Sequence, residues 1–531
     1  MQGNFTKLTY RQTGYFSSLI TDYLDAAPAL KPFYKHPVTI EGMKAAIEAR
    51  KEFPTDRTRL VKHLQNQYEG LPSSEIVNQK IESLSKQTTF TICTAHQPAL
   101  FTGTLYFVYK ILHAVRLAET LKQEFPSYDF VPVYWMGSED ADLDELGKFY
   151  LSNEKIVWNT KQKGAVGKMS TKGLDSLINR IEGELSVLPF GKELVSILKD
   201  AYLNSADIQT ATFKLLHGLF SRFGLVVIVP DTAILKELMC AVFEEDLLQH
   251  IPSSMVSKTT SELEKNYKVQ AHPREINLFY FKDNLRNRIE KKGEQFIVTD
   301  TDIVFSTEEI LTELKTHPER FSPNVILRGL FQETVLPNIA FVGGGGETAY
   351  WLELKELFTH YKVPYPVLVL RNSFLLVPDK WQDKIRKSGF GVLDYFQSET
   401  TLINTLVKRN KNGQLQLTKE IASAIQLYEG MKNKAVAIDA TLEKHVDALK
   451  TKTLKPLEEL EKKMLRAEKR KYTEDQNTIH QIKSALFPLN GLQKRIENFM
   501  PYYSRMGAEF FDLIYKNSLG LEQEFGVIEV I

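Results

Sequence analysis

Four consecutive glycines, Gly343 to Gly346, are the first feature of this sequence that could do chemistry. They stand between the apolar run NIAFV and the helix-like segment ETAYWLELKELF. Ordered glycine costs conformational entropy, so such a run indicates a backbone that side chains would obstruct. Backbone N–H groups at a helix N-terminus bind anions that approach them closely. The glycines and Glu347 therefore predict a substrate-binding site for an anion, and the alternative is a tight strand-to-helix turn that binds nothing.

A second polar segment, HQPALFTGT, also follows an apolar run. It offers the imidazole of His96, the amide of Gln97, the hydroxyl of Thr102 and the backbone of Gly103. These groups could hold a phosphate or an amino-acid carboxylate. The alternative for His96 is a structural histidine whose ring is only hydrogen-bonded.

A third segment, GSEDADLDEL, places Glu139, Asp140, Asp142 and Asp144 within six residues. An amine substrate, a magnesium ion or a general base would each explain this crowding of carboxylates. We expect Asp140 and Asp142 to hold the amine or to act as the base. The alternative is an acidic helix start in which one of the two aspartates is the N-cap.

The composition is that of an ordinary globular protein with several domain-sized units. The chain has 531 residues, 43% hydrophobic and 25% charged, and its 67 basic and 66 acidic side chains give a net charge of +1. That balance gives no reason to expect a nucleic-acid partner. Cys93 and Cys240, both within apolar runs, predict buried small side chains rather than a disulfide framework or a Cys-rich zinc site. Without a signal-peptide layout or an apolar run of membrane-spanning length, we expect a cytoplasmic protein with no membrane partner.

The apolar runs alternate with helical patterns along the first 370 or so residues. They are TTFTICTA, FVPVYWM, GLVVIVPD, NIAFV and PYPVLVLR. Parallel strands need such crossovers, so the order predicts an α/β fold with an open, doubly wound parallel sheet. Ligands of such sheets bind beyond the carboxyl ends of the strands, where the three polar segments lie. Arg328 and Arg371 lie beside these strands and are candidates for binding substrate carboxylates.

The C-terminal third has a different composition. From Leu417 the chain is rich in Lys, Glu, Leu and Ala, and apolar residues recur at alternating steps of four and three. This pattern predicts a coiled coil, and either Asp439 or the pair Lys455-Pro456 could break it into an antiparallel hairpin. Such a projecting hairpin would dimerise, whereas the alternative is a helix packed on its own domain.

These observations divide the chain into predicted segments. They are a helical segment packing on the core at 1–85, the sheet core at 86–410 with inserted β/α segments at about 148–220 and 255–320, the coiled coil at 411–490, and a helical segment returning to the core at 491–531.

Taken together, these segments resemble the bacillithiol biosynthesis cysteine-adding enzymes, the family of the cysteine ligase BshC. The resemblance covers essentially the whole chain and is carried by HQPALFTGTLYFVYK, VPVYWMGSEDADLDEL, SPNVILRGLFQETVLPNIAFVGGGGETAYWLELKELF, KKMLRAEKRK and LQKRIENFMPYYSRMG. It implies a Rossmann-like core with inserted connective segments and an α-helical coiled coil that supports a homodimer. The implied activity is a ligase that adds L-cysteine to glucosaminyl-malate, by amide formation, in the last step of bacillithiol biosynthesis.

The resemblance also bears on cofactors and residue roles. If ATP with Mg²⁺ activates the cysteine as an adenylate, His96 sits where class I synthetases have their HIGH motif. Ala99 replaces the second histidine of that motif, and Ala141 stands where many family members have histidine. Zinc is not expected, because the two cysteines are far apart in the sequence. Arg495, in a family-like stretch, is a candidate nucleotide-binding residue near the coiled coil.

The predicted catalytic residues are therefore His96, Asp140 and Asp142. Two other functions stay open at this point. One is a nucleotidylyltransferase-like enzyme of other specificity. The other is a non-catalytic, dimeric coiled-coil protein with a degenerate nucleotide fold, which would tolerate His96→Ala and Asp140→Ala together.

Overall fold

A computed structural model describes residues 4–283, 285–410 and 417–530 of the chain. Contacts group these residues into two compact units. The first unit ends at Leu375 and resumes from Gly491 to Ile528, and the second runs from Leu376 to Asn490 and includes Glu529 and Val530. The finer segment boundaries predicted from the sequence remain predictions.

The N-terminal segment of the first unit is mostly helical. Its elements are β1 (Phe5–Leu8), α1 (Tyr10–Thr13), α2 (Ser18–Leu24), α3 (Ile40–Lys51), α4 (Arg57–Tyr68) and α5 (Glu75–Ser83).

The core of the first unit alternates strands and helices with two inserted β segments. Its first half comprises β2 (Thr89–His96), α6 (Tyr106–Glu124), β3 (Asp129–Met136), α7 (Leu143–Leu146), β4 (Lys148–Leu151), β5 (Glu154–Val157), α8 (Leu174–Leu185), α9 (Gly191–Leu203), α10 (Ile208–Phe220), β6 (Val226–Ile228), α11 (Ala233–Lys236), α12 (Cys240–Gln249) and α13 (Ile251–Leu263). Its second half comprises β7 (Leu278–Lys282), β8 (Leu285–Lys292), β9 (Gln295–Val298), β10 (Val304–Phe305), α14 (Thr307–Thr316), β11 (Phe321–Pro323), α15 (Val325–Val335), β12 (Asn338–Gly343), α16 (Gly345–Leu352), α17 (Lys355–His360) and β13 (Val367–Leu370).

The predicted doubly wound sheet is confirmed. Its strands lie in the order β13-β12-β2-β3-β6, and all neighbours are parallel. Buried on both faces, these strands read as continuous apolar runs rather than alternating ones. The pairing of β2 with β3 ends at His96 opposite Met136, and that of β12 with β13 ends at Gly343 opposite Leu370. The carboxyl ends of these strands therefore meet at one edge of the sheet.

The strands of the two inserted segments are antiparallel. Strands β4 and β5 form a hairpin, and β10-β9-β8-β7-β11 form a separate sheet. After the second unit, the last part of the chain adds two helices and then a strand that pairs with β1.

The second unit contains the long C-terminal helices. The remaining elements of the chain are β14 (Ser373–Pro378), α18 (Asp379–Ser388), α19 (Glu399–Asn410), α20 (Thr418–Ile438), α21 (Glu443–Lys469), α22 (Thr473–Leu486), α23 (Met500–Met506), α24 (Glu509–Asn517) and β15 (Phe525–Val530). Strand β14 crosses the boundary between the two units.

The coiled-coil segment is an antiparallel helical hairpin. Helix α20 ends before Asp439, whose carboxylate accepts a hydrogen bond from the Thr441 amide at 2.8 Å, and α21 returns alongside. The Tyr428 hydroxyl lies 2.7 Å from that of Thr453, across the two helices. Asp439 is thus the break, whereas Pro456 lies inside α21. None of the helices among the described residues has the length and apolar character needed to span a bilayer.

Candidate functional site

A cavity of about 590 Å³ opens at the carboxyl edge of the parallel sheet in the first unit. Most of the predicted site residues line it, and these are His96, Gln97, Asp140, Arg328, Gly344, Gly345, Gly346, Glu347, Arg371 and Arg495. Thr102, Gly103, Asp142 and Gly343 are not among the lining residues. The sheet therefore brings together residues that are up to 399 positions apart, from His96 to Arg495.

The glycine run makes the turn from β12 to α16. A β-carbon on Gly343 would lie 2.8 Å from the Phe341 ring, and one on Gly344 would lie 3.1 Å from Nε of Arg371. A β-carbon on Gly346 would meet no atom within 4 Å. Side chains would thus crowd the start of the turn, while the amide surface at Gly346 stays open to the cavity. Amide groups in the first turn of a helix have no partner within the helix, so they are available to an anion.

Arg371 is a buried cation at the end of the cavity where the glycine turn lies. It is 4% exposed, and its guanidinium lies 4.5 Å from the ring centroid of Tyr106. Within the described part of the chain, neither Nε nor Nη1 has a hydrogen-bond partner. Burial lowers the pKa of Arg371 to about 10, so the group stays charged at neutral pH. A buried cation with unused donors is costly unless an anion binds it.

Glu347 forms its ion pair with Lys110 rather than with Arg371. Its Oε2 lies 2.5 Å from Nζ of Lys110 and accepts a hydrogen bond from the Gly344 amide at 2.8 Å. Burial lowers the pKa of Lys110 to about 8, although Glu347 opposes that shift. Arg328 and Arg495 also line this end, which is therefore cationic overall.

His96 lies at the middle of the sheet edge and is neutral. Its Nδ1 is 2.9 Å from the Gln97 carbonyl oxygen, which can only accept, so Nδ1 carries the proton. Nε2 then accepts from the Tyr106 hydroxyl at 2.9 Å. Burial, and then the nearby Lys110, lowers the pKa of His96 to about 4. At neutral pH the ring orients Tyr106 and carries no charge.

The opposite end of the cavity, after β3, is acidic. Asp140 accepts a hydrogen bond from Gln97 at 3.0 Å, and Glu139 pairs with the buried Lys236. Burial, and then Asp142 and Asp140, raise the pKa of Glu145, which also lines the cavity. Asp142 instead accepts from the Glu145 amide at 2.9 Å and is the N-cap of α7. The sequence left this capping role open for Asp140 or Asp142, and the structure assigns it to Asp142.

Family models cover nearly the entire chain. The N-terminal Rossmann-like domain of bacillithiol biosynthesis BshC matches residues 4–372, and the C-terminal coiled-coil domain of BshC matches residues 374–530. This chain belongs to the BshC family. The resemblance seen in the sequence is thereby confirmed, as are the Rossmann-like core, the coiled coil and a role in bacillithiol biosynthesis.

Curated relatives of this BshC-family chain agree with the family models. "Putative cysteine ligase BshC" of Flavobacterium johnsoniae is 38% identical over 525 residues, which are 98% of this chain and 99% of that protein. The protein of the same name from Cytophaga hutchinsonii is 38% identical over 512 residues, 96% of each chain. A solved structure titled putative arginyl t-RNA synthetase, from Campylobacter jejuni, covers 85% of this chain and 100% of its own at 10% identity. Its TM-score of 0.23 is too low for any inference.

Several cavity residues of this BshC-family protein were not predicted. Tyr106 lines the cavity from the buried helix α6. Lys110 lies four residues later on the same face and pairs with Glu347 without lining the cavity, and a lysine among apolar residues was an available signal. Ser138, 1% exposed, has an Oγ atom without a hydrogen-bond partner among the described residues. Arg286 reaches the cavity from the inserted strand β8, where its Nε donates to Ser322 at 3.1 Å. Nothing local in the sequence connects Arg286 with the sheet edge.

The loop at Thr102 and Gly103 is not part of the cavity lining. Phe101, Thr102 and Gly103 have φ angles of +50°, +66° and +64°. Nδ2 of Asn498 donates to the Phe101 oxygen at 2.9 Å and to the Gly103 oxygen at 2.6 Å. The backbone oxygens of this loop are thus bound by the protein itself, and a substrate-binding role for Thr102 and Gly103 stays a prediction.

The cysteines lie outside the cavity lining. Cys93 is buried and Cys240 is half-buried, and burial raises the pKa of both thiols. Among the residues that the structure describes, no three His, Cys, Asp or Glu side chains are placed to hold a metal ion. That zinc is not required stays a prediction.

His113 supports the segment that carries Arg371. Its Nε2 donates to the Gly520 oxygen at 2.9 Å, and its Nδ1 accepts from the Asn372 amide at 3.0 Å. The two partners demand a neutral ring, and burial lowers the pKa of His113 to about 4. Between about pH 6.5 and 4 the His113 side chain binds a proton in the unfolded chain but not in the folded chain. The free energy of unfolding therefore decreases as the pH falls through this range.

We therefore expect the stability advantage of wild type over His113→Asn to shrink by about 2–3 kcal/mol between pH 7 and pH 4.5. The measurement is urea unfolding of both proteins at several pH values. Buried carboxyl groups with raised pKa values act in the opposite sense, but equally in both proteins. The exposed His445→Asn is the matched control. A difference between wild type and His113→Asn that does not change with pH would contradict the assignment of a neutral ring.

Proposed function

We propose that this protein is a ligase that forms the amide between the L-cysteine carboxyl and the amine of glucosaminyl-malate, the last step of bacillithiol biosynthesis. The name of its relatives, cysteine ligase, supports the reaction class. The observation that carries the proposal is the opposite charge of the two ends of the cavity. One end offers guanidinium and amide donors to carboxylates, and the other offers carboxylates to an amine.

The cationic end suits the malate half of the acceptor. Nε and Nη1 of Arg371 have no hydrogen-bond partner within the described chain, and they point to different sides of the guanidinium, so each can bind a separate carboxylate oxygen. The amides at Gly345 and Gly346 offer a second set of donors beside them, whereas the Gly344 amide already donates to Glu347. Arg328, which donates to the Tyr350 hydroxyl, adds a further positive charge. Two carboxylates on one small group would use all of these donors.

The acidic end suits amines, and its groups can move the proton of the reaction. The attacking amine must be uncharged, and when it forms the C–N bond it releases a proton to a base. Glu145 lines the cavity with a raised pKa, which favours a general base at neutral pH. Asp140, fixed by Gln97, is placed to orient the amine. Asp142 acts on this end through the start of α7 that it caps.

An amide does not form readily from a free carboxylate, because hydroxide is a poor leaving group. ATP, with Mg²⁺ on its phosphates, would supply a phosphorus-bound leaving group on the cysteine carboxyl. The amine then attacks the carbonyl carbon and the C–O bond to that group breaks. Arg495 also lines the cationic end, and the donors assigned to malate do not include it; its guanidinium can bind a phosphate, so ATP is a proposed co-substrate. The predicted nucleotide-binding role of Arg495 is part of this proposal.

We also propose that the chain acts as a homodimer through the α20–α21 hairpin. Its surface carries exposed apolar side chains, including Leu427, Met431 and Ile438, which are 57%, 47% and 84% exposed. Such a row of apolar residues on paired helices favours association with a second copy.

The test is a reconstitution with glucosaminyl-malate, L-cysteine and Mg²⁺, with and without ATP, in which bacillithiol is followed by mass spectrometry. We expect product in the presence of ATP and none in its absence. Asp140→Asn should lower the rate at least about 10²-fold, and Asp175→Asn, an exposed acid on α8, is the matched control. Full activity of a protein carrying both His96→Ala and Asp140→Ala would contradict the roles of these two residues. No product from the folded wild-type protein, with or without ATP, would overturn the proposal in favour of a missing partner or a non-catalytic role.

A further inference from the structure

The cavity also has an apolar side, formed by Trp135, Pro230, Pro323, Val325 and Phe331. We call these residues the apolar wall. The rings of Trp135 and Phe331 pack edge to face with centroids 5.1 Å apart, and they are 1% and 2% exposed. Val325 begins helix α15 and is 37% exposed. The wall is therefore a rigid packed surface with one accessible aliphatic side chain.

The strand order places the apolar wall beside the acidic end. Trp135 lies on β3, and Glu139 and Asp140 follow the same strand. Pro230 follows β6, the neighbour of β3, whereas the glycine turn and Arg371 follow β12 and β13 on the other side of β2. A ligand whose ammonium group binds the carboxylates after β3 would thus rest its side chain on the wall.

We infer that the apolar wall is the subsite for the side chain of the amino-acid substrate, and that it selects a thiol over a hydroxyl by denying the side chain hydrogen-bond partners. This inference rests on the proposed function and names the part of the cavity that recognises cysteine. A thiol is a weak hydrogen-bonding group and behaves as a small hydrophobe. A serine hydroxyl on the same surface would lose its hydrogen bonds to water without replacement.

The alternative way to select cysteine is a metal–thiolate bond, which needs Cys, His or carboxylate ligands around the side chain. The residues of the apolar wall offer none of these groups, and within the described chain the nearby carboxylates of Glu139, Asp140 and Glu145 belong to no set of three side chains placed to hold a metal ion. Cys93 and Cys240 do not line the cavity, and His96 has both ring nitrogens engaged. The chemistry of the residues present therefore fits recognition by apolar contact.

The first experiment compares amino-acid substrates with the wild-type protein: L-cysteine, L-2-aminobutyrate, L-alanine and L-serine, each with glucosaminyl-malate and ATP. L-2-Aminobutyrate replaces the thiol by a methyl group of similar size. We expect its kcat/KM to lie within about tenfold of that for cysteine, because both side chains contact an apolar surface. Alanine should be about tenfold poorer than 2-aminobutyrate, and serine about 10²-fold poorer than cysteine.

The second experiment places a hydroxyl in the wall. Val325→Thr keeps the shape of the side chain at an accessible helix position, so it should leave the fold intact. We expect it to raise the serine-to-cysteine ratio of kcat/KM by about tenfold. Val187→Thr, at a position 83% exposed outside the cavity, is the matched control and should leave the ratio unchanged.

The outcomes separate this inference from the proposed function. No amide product with cysteine would overturn the proposed function. A cysteine product together with inactive 2-aminobutyrate would overturn only the apolar subsite, because it would show that the sulfur itself is recognised. A Val325→Thr protein that changes the KM for ATP or glucosaminyl-malate, with an unchanged serine-to-cysteine ratio, would also overturn it, since the wall would then hold another part of the substrates.

Discussion

Arg371→Met is expected to abolish most of the activity while making the unliganded protein slightly more stable. The substitution removes a buried charge whose Nε and Nη1 donors are unused within the described residues. Replacing an uncompensated buried ion by an apolar side chain of similar length is neutral or stabilising, here by about 1 kcal/mol. The bound carboxylate would at the same time lose its charge-assisted hydrogen bonds. That loss is worth about 3 kcal/mol, or about 10²-fold in the KM for glucosaminyl-malate.

Both quantities can be measured on one preparation. Urea unfolding without ligand gives the free energy of unfolding, and steady-state assays give KM and kcat. L-Malate, which carries the two carboxylates of the acceptor, should raise the stability of wild type but not of Arg371→Met, because a ligand stabilises only the state that binds it. Arg116→Met, at a surface arginine of α6, is the control and should change neither quantity. A folded Arg371→Met protein with the wild-type KM would contradict the carboxylate-binding role.

Glu333→Gln is expected to have the opposite pattern: a large loss of stability with little change in KM. Nη2 of Arg50 lies 2.9 Å from Oε2 of Glu333, and both side chains are fully buried. Arg50 also donates to the backbone oxygens of Glu333 and Asn338, each at 2.8 Å. Burial raises the pKa of Glu333 to about 7, so above that pH the carboxylate is charged and the substitution would leave Arg50 as a buried charge without its partner. Breaking a buried pair in this way costs about 3–5 kcal/mol in the free energy of unfolding.

The pair connects α3 to the carboxyl end of α15, and Arg50 also donates to the first residue of β12, at the edge of the sheet away from the cavity. The fraction of Glu333→Gln protein that is folded should therefore bind substrates normally. Urea unfolding and KM determination on the same samples test both statements. Arg11→Met, which removes an exposed ion pair with Asp22 and Asp25, is the control and should cost less than about 1 kcal/mol. A loss below that value for Glu333→Gln would contradict the structural role of the buried pair.

The sequence alone determined the layers of this protein and the edge of the sheet at which the cavity lies. The strands of the core are buried on both faces, so each is a short apolar run that local pattern reveals. The alternation of these runs with helical segments implied parallel pairing, and parallel pairing implied a site beyond the carboxyl ends. The glycine run and the acidic segment were visible for the same reason, because each lies within a few residues of a strand end. The coiled coil was likewise visible in local periodicity, whereas the sequence left its break open between Asp439 and Lys455-Pro456, and the structure assigns it to Asp439.

Only the tertiary structure decided which polar side chains lie together in the cavity and which already have hydrogen-bond or ion-pair partners within the protein. Asp140 and Asp142 are equivalent in sequence, but one lies in the cavity and the other caps α7, since the backbone turns between them. Thr102 and Gly103 follow His96 closely, yet Asn498, nearly 400 residues later, binds the backbone of their loop. These outcomes depend on strand order and on contacts between distant segments, whereas a residue pattern reports only the few neighbours that share its helix turn or strand face. The unused donors of Arg371 and the pairing of Arg50 with Glu333 likewise depend on contacts between distant segments.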